Sequence, residues 1–110
     1  MTGVSIVFVT VGNADEASVM ARKLVEERTV ACVNIVPNIR SIYRWKGEIH
    51  DDEEYLLVMK TRSSLVATLK ATVREIHSYE VPEVVAFSVE DGLPDYLEWV
   101  MDSTKHIDAE

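Results

Sequence analysis

Residues 30–61 read VACVNIVPNIRSIYRWK, then Gly47, then EIHDDEEYLLVMKT, and this run decides the fold. Both arms are long extended segments, and Lys46-Gly47 between them is a tight hairpin turn, because Gly takes the positive φ that short hairpin loops demand. Pairing outward from that turn sets Arg40 near Glu53 and Ile42 near Asp51, until a bulge at Pro37 shifts the register. A basic arm then faces an acidic arm, a favourable arrangement across two strands. The arm from Val30 to Lys46 spans about 55 Å when extended, at roughly 3.3 Å per residue. A helix of about fifteen residues spans only about 22 Å. Much of the hairpin must therefore overhang its own domain, carrying Ile42, Tyr43 and Trp45 with it. Proteins manage long apolar edges by closed association, so the overhang predicts a homo-oligomer. A sharp kink at Pro37 that folds the tip back is the weaker alternative, since the apolar/polar alternation resumes directly after it.

The flanking segments complete the pattern. Val4 to Val11 is rich in β-branched residues with apolar side chains at both parities, as in a central strand. Gly12-Asn13 ends it, and Asn13 with Glu16 reads as a capping box. Ala17, Met20, Ala21, Leu24 and Val25 then give the spacing of an amphipathic helix that runs to about Arg28. Ser63 or Ser64 caps a second helix with a stripe of Leu65, Val66, Leu69, Val73 and Ile76, ending near Ser78. Val84 to Val89 is a fourth strand. Pro94 opens a short helix with Tyr96, Leu97, Val100 and Met101 on its apolar side, and Ser103 to Glu110 reads as a frayed polar tail. The order is β-α-β-β-α-β plus a C-terminal helix: an α+β, ferredoxin-like arrangement in one domain over residues 1–110.

Composition narrows the function classes. The chain of 110 residues is 47% hydrophobic and 27% charged, which suits a single globular core rather than disorder. A net charge of -8 argues against nucleic-acid or anionic-membrane binding and suits cations. The longest apolar run is too short to span a bilayer, and no basic residue precedes it as in a secretory signal. Cys32 is the single cysteine, so no intrachain disulfide forms and a reducing, cytoplasmic compartment is expected. Enzyme motifs are absent: there is no G-x-S-x-G, Gly-rich phosphate loop, C-x-x-C or H-E-x-x-H.

The residues that could carry chemistry each have a structural reading too. His77 at a helix end favours the last carbonyls, while extended backbone through Val81-Pro82 also lets it converge with Glu83. Imidazole plus carboxylate suits copper or zinc, the more so if Cys32 joins. Cys32, between Ala31 and Val33, is by default a small core side chain. Lys60 after YLLVM either snorkels to solvent or partners an anion. Trp45 is either an aromatic lid or buried at a subunit contact. Asp51 to Glu54 concentrates cations or simply forms a solvated face opposite Arg40 and Arg44.

Taken together, ACVNIVPNIRSIYRWKGEI, EYLLVMKT, HSYEVPEVV and DYLEWV resemble the CutA family of divalent-cation tolerance proteins, and the likeness covers nearly the whole chain. It implies a homotrimer joined through the long hairpins, a likeness in fold to the PII signalling proteins, and a role in tolerance of divalent metals, copper (Cu2+) above all. No organic cofactor and no enzymatic activity come with it. Carried over by position, it implies Cys32, His77 and Glu83 as metal ligands. Trp45, Glu54, Lys60 and Tyr79 are then expected to line an inter-subunit cleft. Ser78 stands where the family's H-P-Y-x-x-P-E segment usually has proline, which loosens the backbone after His77. The competing expectation is a PII-like sensor of an anion or small metabolite near Lys60, Trp45 and Tyr79, or a trimeric scaffold for partners.

Overall fold

The computed structural model describes residues 1–106. Its elements run β1 (Val4–Val11), α1 (Ala14–Glu26), β2 (Cys32–Trp45), β3 (Glu48–Arg62), a 3-10 turn (Ser63–Leu65) leading into α2 (Val66–Ile76), β4 (Val84–Ser88) and α3 (Pro94–Ser103). The four strands form one antiparallel sheet in the order β2-β3-β1-β4. This is the ferredoxin-like α+β arrangement that the hairpin pattern predicts.

The hairpin pairs as its turn dictates. Lys46 and Gly47 both take positive φ, 52° and 81°, the combination a two-residue primed turn requires. Arg40 lies opposite Glu53 and Ile42 opposite Asp51. The register shifts between Val36 and Ile39, where β2 holds one more residue than β3 and Asn38 takes φ 60°. Asn tolerates that left-handed conformation, so the chain bulges there and continues instead of folding back. β1 covers β3 only as far as Tyr55. Beyond it, Ile39–Trp45 and Glu48–Glu54 pair with one another alone. That overhang leaves Ile42 64% and Ile49 62% exposed.

One face of the sheet is covered by α1 and α2. Val7, Val9, Val11, Leu57 and Met59 from the strands close on Ala17, Met20, Leu24, Leu69 and Val73 from the helices, all essentially inaccessible to water. Asn13 caps α1 by accepting the Glu16 N–H at 2.8 Å. The expected reciprocal half of the capping box does not form, because the Glu16 carboxylate is engaged by Ser78 instead. Ser63 likewise caps nothing with its side chain; its hydroxyl meets that of Ser5 at 2.7 Å.

α3 crosses to the other face and covers only one end of it. Val100 packs with Val4 and Ala31 in a second small core, joined by Leu97 and Met101. The polar stretch after Ser103, expected to fray, is held in its described part. Thr104 is buried, and Lys105 N–H donates to the Arg28 carbonyl at 2.9 Å. Arg62 explains why: its guanidinium donates to the Met101 carbonyl at 2.6 Å and to Thr104 Oγ1 at 3.1 Å, adding a charged donor to a helix end that Thr104 alone caps through its own N–H and hydroxyl. Residues 107–110 of the expected tail lie outside the described residues. The remainder of the α3 face is open. By strand alternation it carries Phe8, Val36, Leu56, Val58, Val85 and Phe87. Phe8 and Phe87 pack edge to face there at 4.9 Å, with Phe87 half exposed.

Candidate functional site

Where the hairpin leaves the sheet, the segment after α2 folds beside it and encloses a cleft of about 740 Å³. Four of the expected positions line it: Trp45 and Glu54 from the hairpin, Tyr79 and Glu83 from the loop before β4. Arg40, Tyr43, Asp52 and Glu80 complete its polar and aromatic wall. Glu54 ends the stretch of β3 that β1 does not reach, yet only 6% of it is exposed. Its Oε2 accepts the Tyr79 hydroxyl at 2.7 Å. No cation of the described residues lies within 4.0 Å of this carboxylate, and its hydrogen-bond donor among them is a neutral phenol.

His77 sits behind this pair. Thr10 C=O can only accept and the Tyr79 backbone N–H can only donate, so the ring donates from Nε2 to Thr10 at 2.7 Å and accepts at Nδ1 from Tyr79 at 3.0 Å. Both ring nitrogens are thereby spent within the chain, and the ring, 4.6 Å from that of Tyr79, aims the phenol at Glu54. Ser78 anchors the same turn. Its backbone N–H and its hydroxyl donate to the two Glu16 carboxylate oxygens at 3.0 and 2.9 Å. A proline there would lack the N–H, so this chain replaces a stiff residue with a two-point tether. Gly12 supplies the remaining clearance: a Cβ at that position would stand 3.0 Å from the Tyr79 hydroxyl.

Burial, followed by the bond to Glu54, raises the Tyr79 phenol well above its ordinary range. Tyr43 shows the same effect on the open side, its hydroxyl donating to Asp52 at 2.6 Å, and is pushed up to about 12. Arg40 makes a two-pronged ion pair with Asp51, at 2.8 and 2.6 Å, that raises the guanidinium and lowers the carboxyl. The partner is one step diagonal from the residue directly opposite, within reach of a long side chain.

Two expected positions lie elsewhere. Cys32 is directly opposite Lys60, four residues along β3 from the Leu56 level where Thr10 pairs. Lys60 donates to Asn34, and Cys32 Sγ lies 3.9 Å from that same amide oxygen. Cys32, His77 and Glu83 are thus not brought together within the chain, and among the described residues no group of three His, Cys, Asp or Glu side chains converges on a point. Gly12, Glu16 and Ser78 were not marked as site residues by their local sequence; their roles depend on contacts between segments more than sixty residues apart.

Comparison with known proteins places this architecture. The family profile described as CutA1 divalent ion tolerance protein matches residues 5–103. The chain belongs to the CutA family. Protein CutA of Mus musculus is 51% identical over 94% of the chain and 59% of its own length, so the chain spans about three-fifths of that relative. The divalent-cation tolerance protein CutA of Thermus thermophilus is 46% identical over 90% of the chain and 96% of its own length. The crystal structure of CutA1 from Oryza sativa superposes with a TM-score of 0.92 at 41% identity, covering 97% of this chain and all 100% of that one. Compartment varies within the family: an Arabidopsis thaliana relative is named chloroplastic, and a structure from Archaeoglobus fulgidus periplasmic. No helix among the described residues is long and apolar enough to cross a membrane.

Proposed function

We propose that this protein serves divalent-ion tolerance as a homotrimer, with the acidic and aromatic cleft at the root of the hairpin as its cation-binding site. The observation that carries this reading is Glu54, a residue only 6% exposed whose carboxylate has a neutral phenol for a partner and no cation within reach among the described residues. A buried anion without a counter-charge is costly, and a bound cation supplies the missing charge. The overhanging apolar hairpin and the open sheet face around Phe8 and Phe87 support assembly, since exposed apolar surface of this kind marks contact with another chain.

The donors available for a divalent metal are the carboxylates Asp52, Glu54, Glu80 and Glu83. Oxygen donors of this type suit hard divalent ions, whereas copper prefers imidazole or thiolate. Because the described residues of one subunit bring no three ligands together, the metal site is completed between subunits. Cys32 enters it only from a neighbouring copy, and His77 acts by positioning Tyr79. The single reduced cysteine favours a cytoplasmic setting. The alternative of an anion sensor at Lys60 has less support, because Lys60 is tied to Asn34 away from the cleft.

Calorimetric titration with copper, zinc and manganese tests the reading. Glu54→Gln is expected to weaken divalent-ion binding at least about tenfold while the assembly persists. Cys32→Ser is expected to weaken copper and spare manganese. Unchanged affinity for all three metals in Glu54→Gln refutes the site.

A further inference from the structure

The chemistry of the cleft wall reaches beyond a bare metal ion. Among the lining residues the only permanently charged cation is Arg40, and Asp51 occupies its Nε and Nη2. Four carboxylates remain on the wall together with the rings of Tyr43, Trp45 and Tyr79. Aromatic faces attract large, weakly hydrated cations through their quadrupole and add little for a small ion that keeps its own water. A volume of about 740 Å³ also exceeds what a metal ion needs and lies in the range of sites for small organic ligands.

The chain itself shows where such a cation would rest. The Lys46 ammonium stands 5.6 Å from the centre of the Trp45 ring and 3.4 Å from Glu80 Oε1. Both partners line the cleft, and Lys46 is carried to its edge by the hairpin turn. Deeper in, Glu54 offers Oε1, which accepts no hydrogen bond from the described residues while Oε2 is held by Tyr79. An aromatic face, a carboxylate beside it and a second carboxylate with a free oxygen on the cleft wall form a receptor for alkylammonium groups.

Resting on the cation-site reading above, we infer that the cleft binds a small organic cation of the amine class, seated on Trp45 between Glu80 and Glu54, with Lys46 as the internal ammonium that it displaces. The ligand adds no covalent step. Its selectivity comes from cation–π contact and charge-assisted hydrogen bonds.

The test titrates the assembled protein with 1,5-diaminopentane, tetramethylammonium, manganese chloride and inorganic phosphate by calorimetry, after the mass of every variant assembly has been checked. The wild-type protein is expected to bind the diamine and not phosphate. Trp45→Leu should weaken the diamine about tenfold and manganese by less, and Glu54→Gln should weaken both. Because Trp45 lies on the overhanging hairpin, Lys46→Met provides a second reading that keeps the ring: removing the competitor should tighten diamine binding. No diamine binding, or diamine affinity unchanged in Lys46→Met and Glu54→Gln, overturns the inference. Manganese binding without amine binding overturns it while sparing the cation-site reading, and absence of both defeats the two together. Diamine binding confined to dissociated chains would show that a second copy fills the cleft, which also overturns it.

Discussion

Replacing Tyr79 by Phe removes one hydroxyl and isolates a carboxylate. The bond it deletes is 2.7 Å long and ends on Glu54, which is 6% exposed, so water replaces it poorly. Hydrogen bonds to charged groups contribute about 1.5–3 kcal/mol, and with Tyr79 itself partly exposed a cost of about 2 kcal/mol is expected. For a domain of this size, that lowers the melting temperature by roughly 8 °C. Glu54→Gln removes the charge, and the double variant Tyr79→Phe/Glu54→Gln should recover about 1.5 kcal/mol of the summed single costs. The sign of the pH dependence follows from the raised phenol. Its contribution is complete below the unfolded value of about 10 and is lost as pH rises through the higher folded value. Wild-type protein should therefore lose stability in alkali by a step that Tyr79→Phe lacks. Differential scanning fluorimetry and urea titration at fixed protein concentration measure all of this. A melting shift below about 2 °C with no coupling in the cycle would refute the claim that Glu54 depends on Tyr79.

Ser78→Ala should cost about 1 kcal/mol in urea titrations, the worth of one hydrogen bond to Glu16; a neutral result would mean that the tether is solvent-compensated. Arg62→Met should cost about 2 kcal/mol, because the Met101 carbonyl loses its charged donor and keeps only the Thr104 N–H and hydroxyl. Hydrogen exchange should then quicken in α3 before the rest of the fold, and uniform loss of protection would contradict the local cap. Ultraviolet titration should show one tyrosine ionising near 12, and Asp52→Asn should bring Tyr43 down towards its ordinary value. An unchanged titration would separate Tyr43 from Asp52 in solution.

The hairpin was legible because two independent signals agree. Alternation assigns the faces and Lys46-Gly47 assigns the turn, so the pairs Arg40 with Glu53 and Ile42 with Asp51 follow by counting. Charge pairing was less legible: Arg40 reaches the diagonal Asp51 rather than the opposite Glu53, a choice made by side-chain length and not by register. Residue types raised Trp45 and Glu83 as candidates, but Glu54 and Tyr79 joined them only with the help of a whole-chain resemblance, since the convergence of all four needs the sheet, the overhang and the loop before β4 in place. Cys32 and Lys60 could not be separated from them, because residue identity carries no position along a strand. The end of α3 was misread for a related reason. Polar composition after Ser103 looks free until Arg62, far away in the chain, adds a charged donor to the helix terminus.

Native mass spectrometry of the metal-free protein tests the central claim most directly. Wild-type chains of 12.4 kDa are predicted to appear as trimers that take up divalent ions, and Phe87→Asp, which places a charge on the open sheet face, is predicted to shift the spectrum to single chains. Trimers persisting in Phe87→Asp would remove that face from the assembly. A wild-type spectrum of monomers that bind no divalent ion would contradict the account.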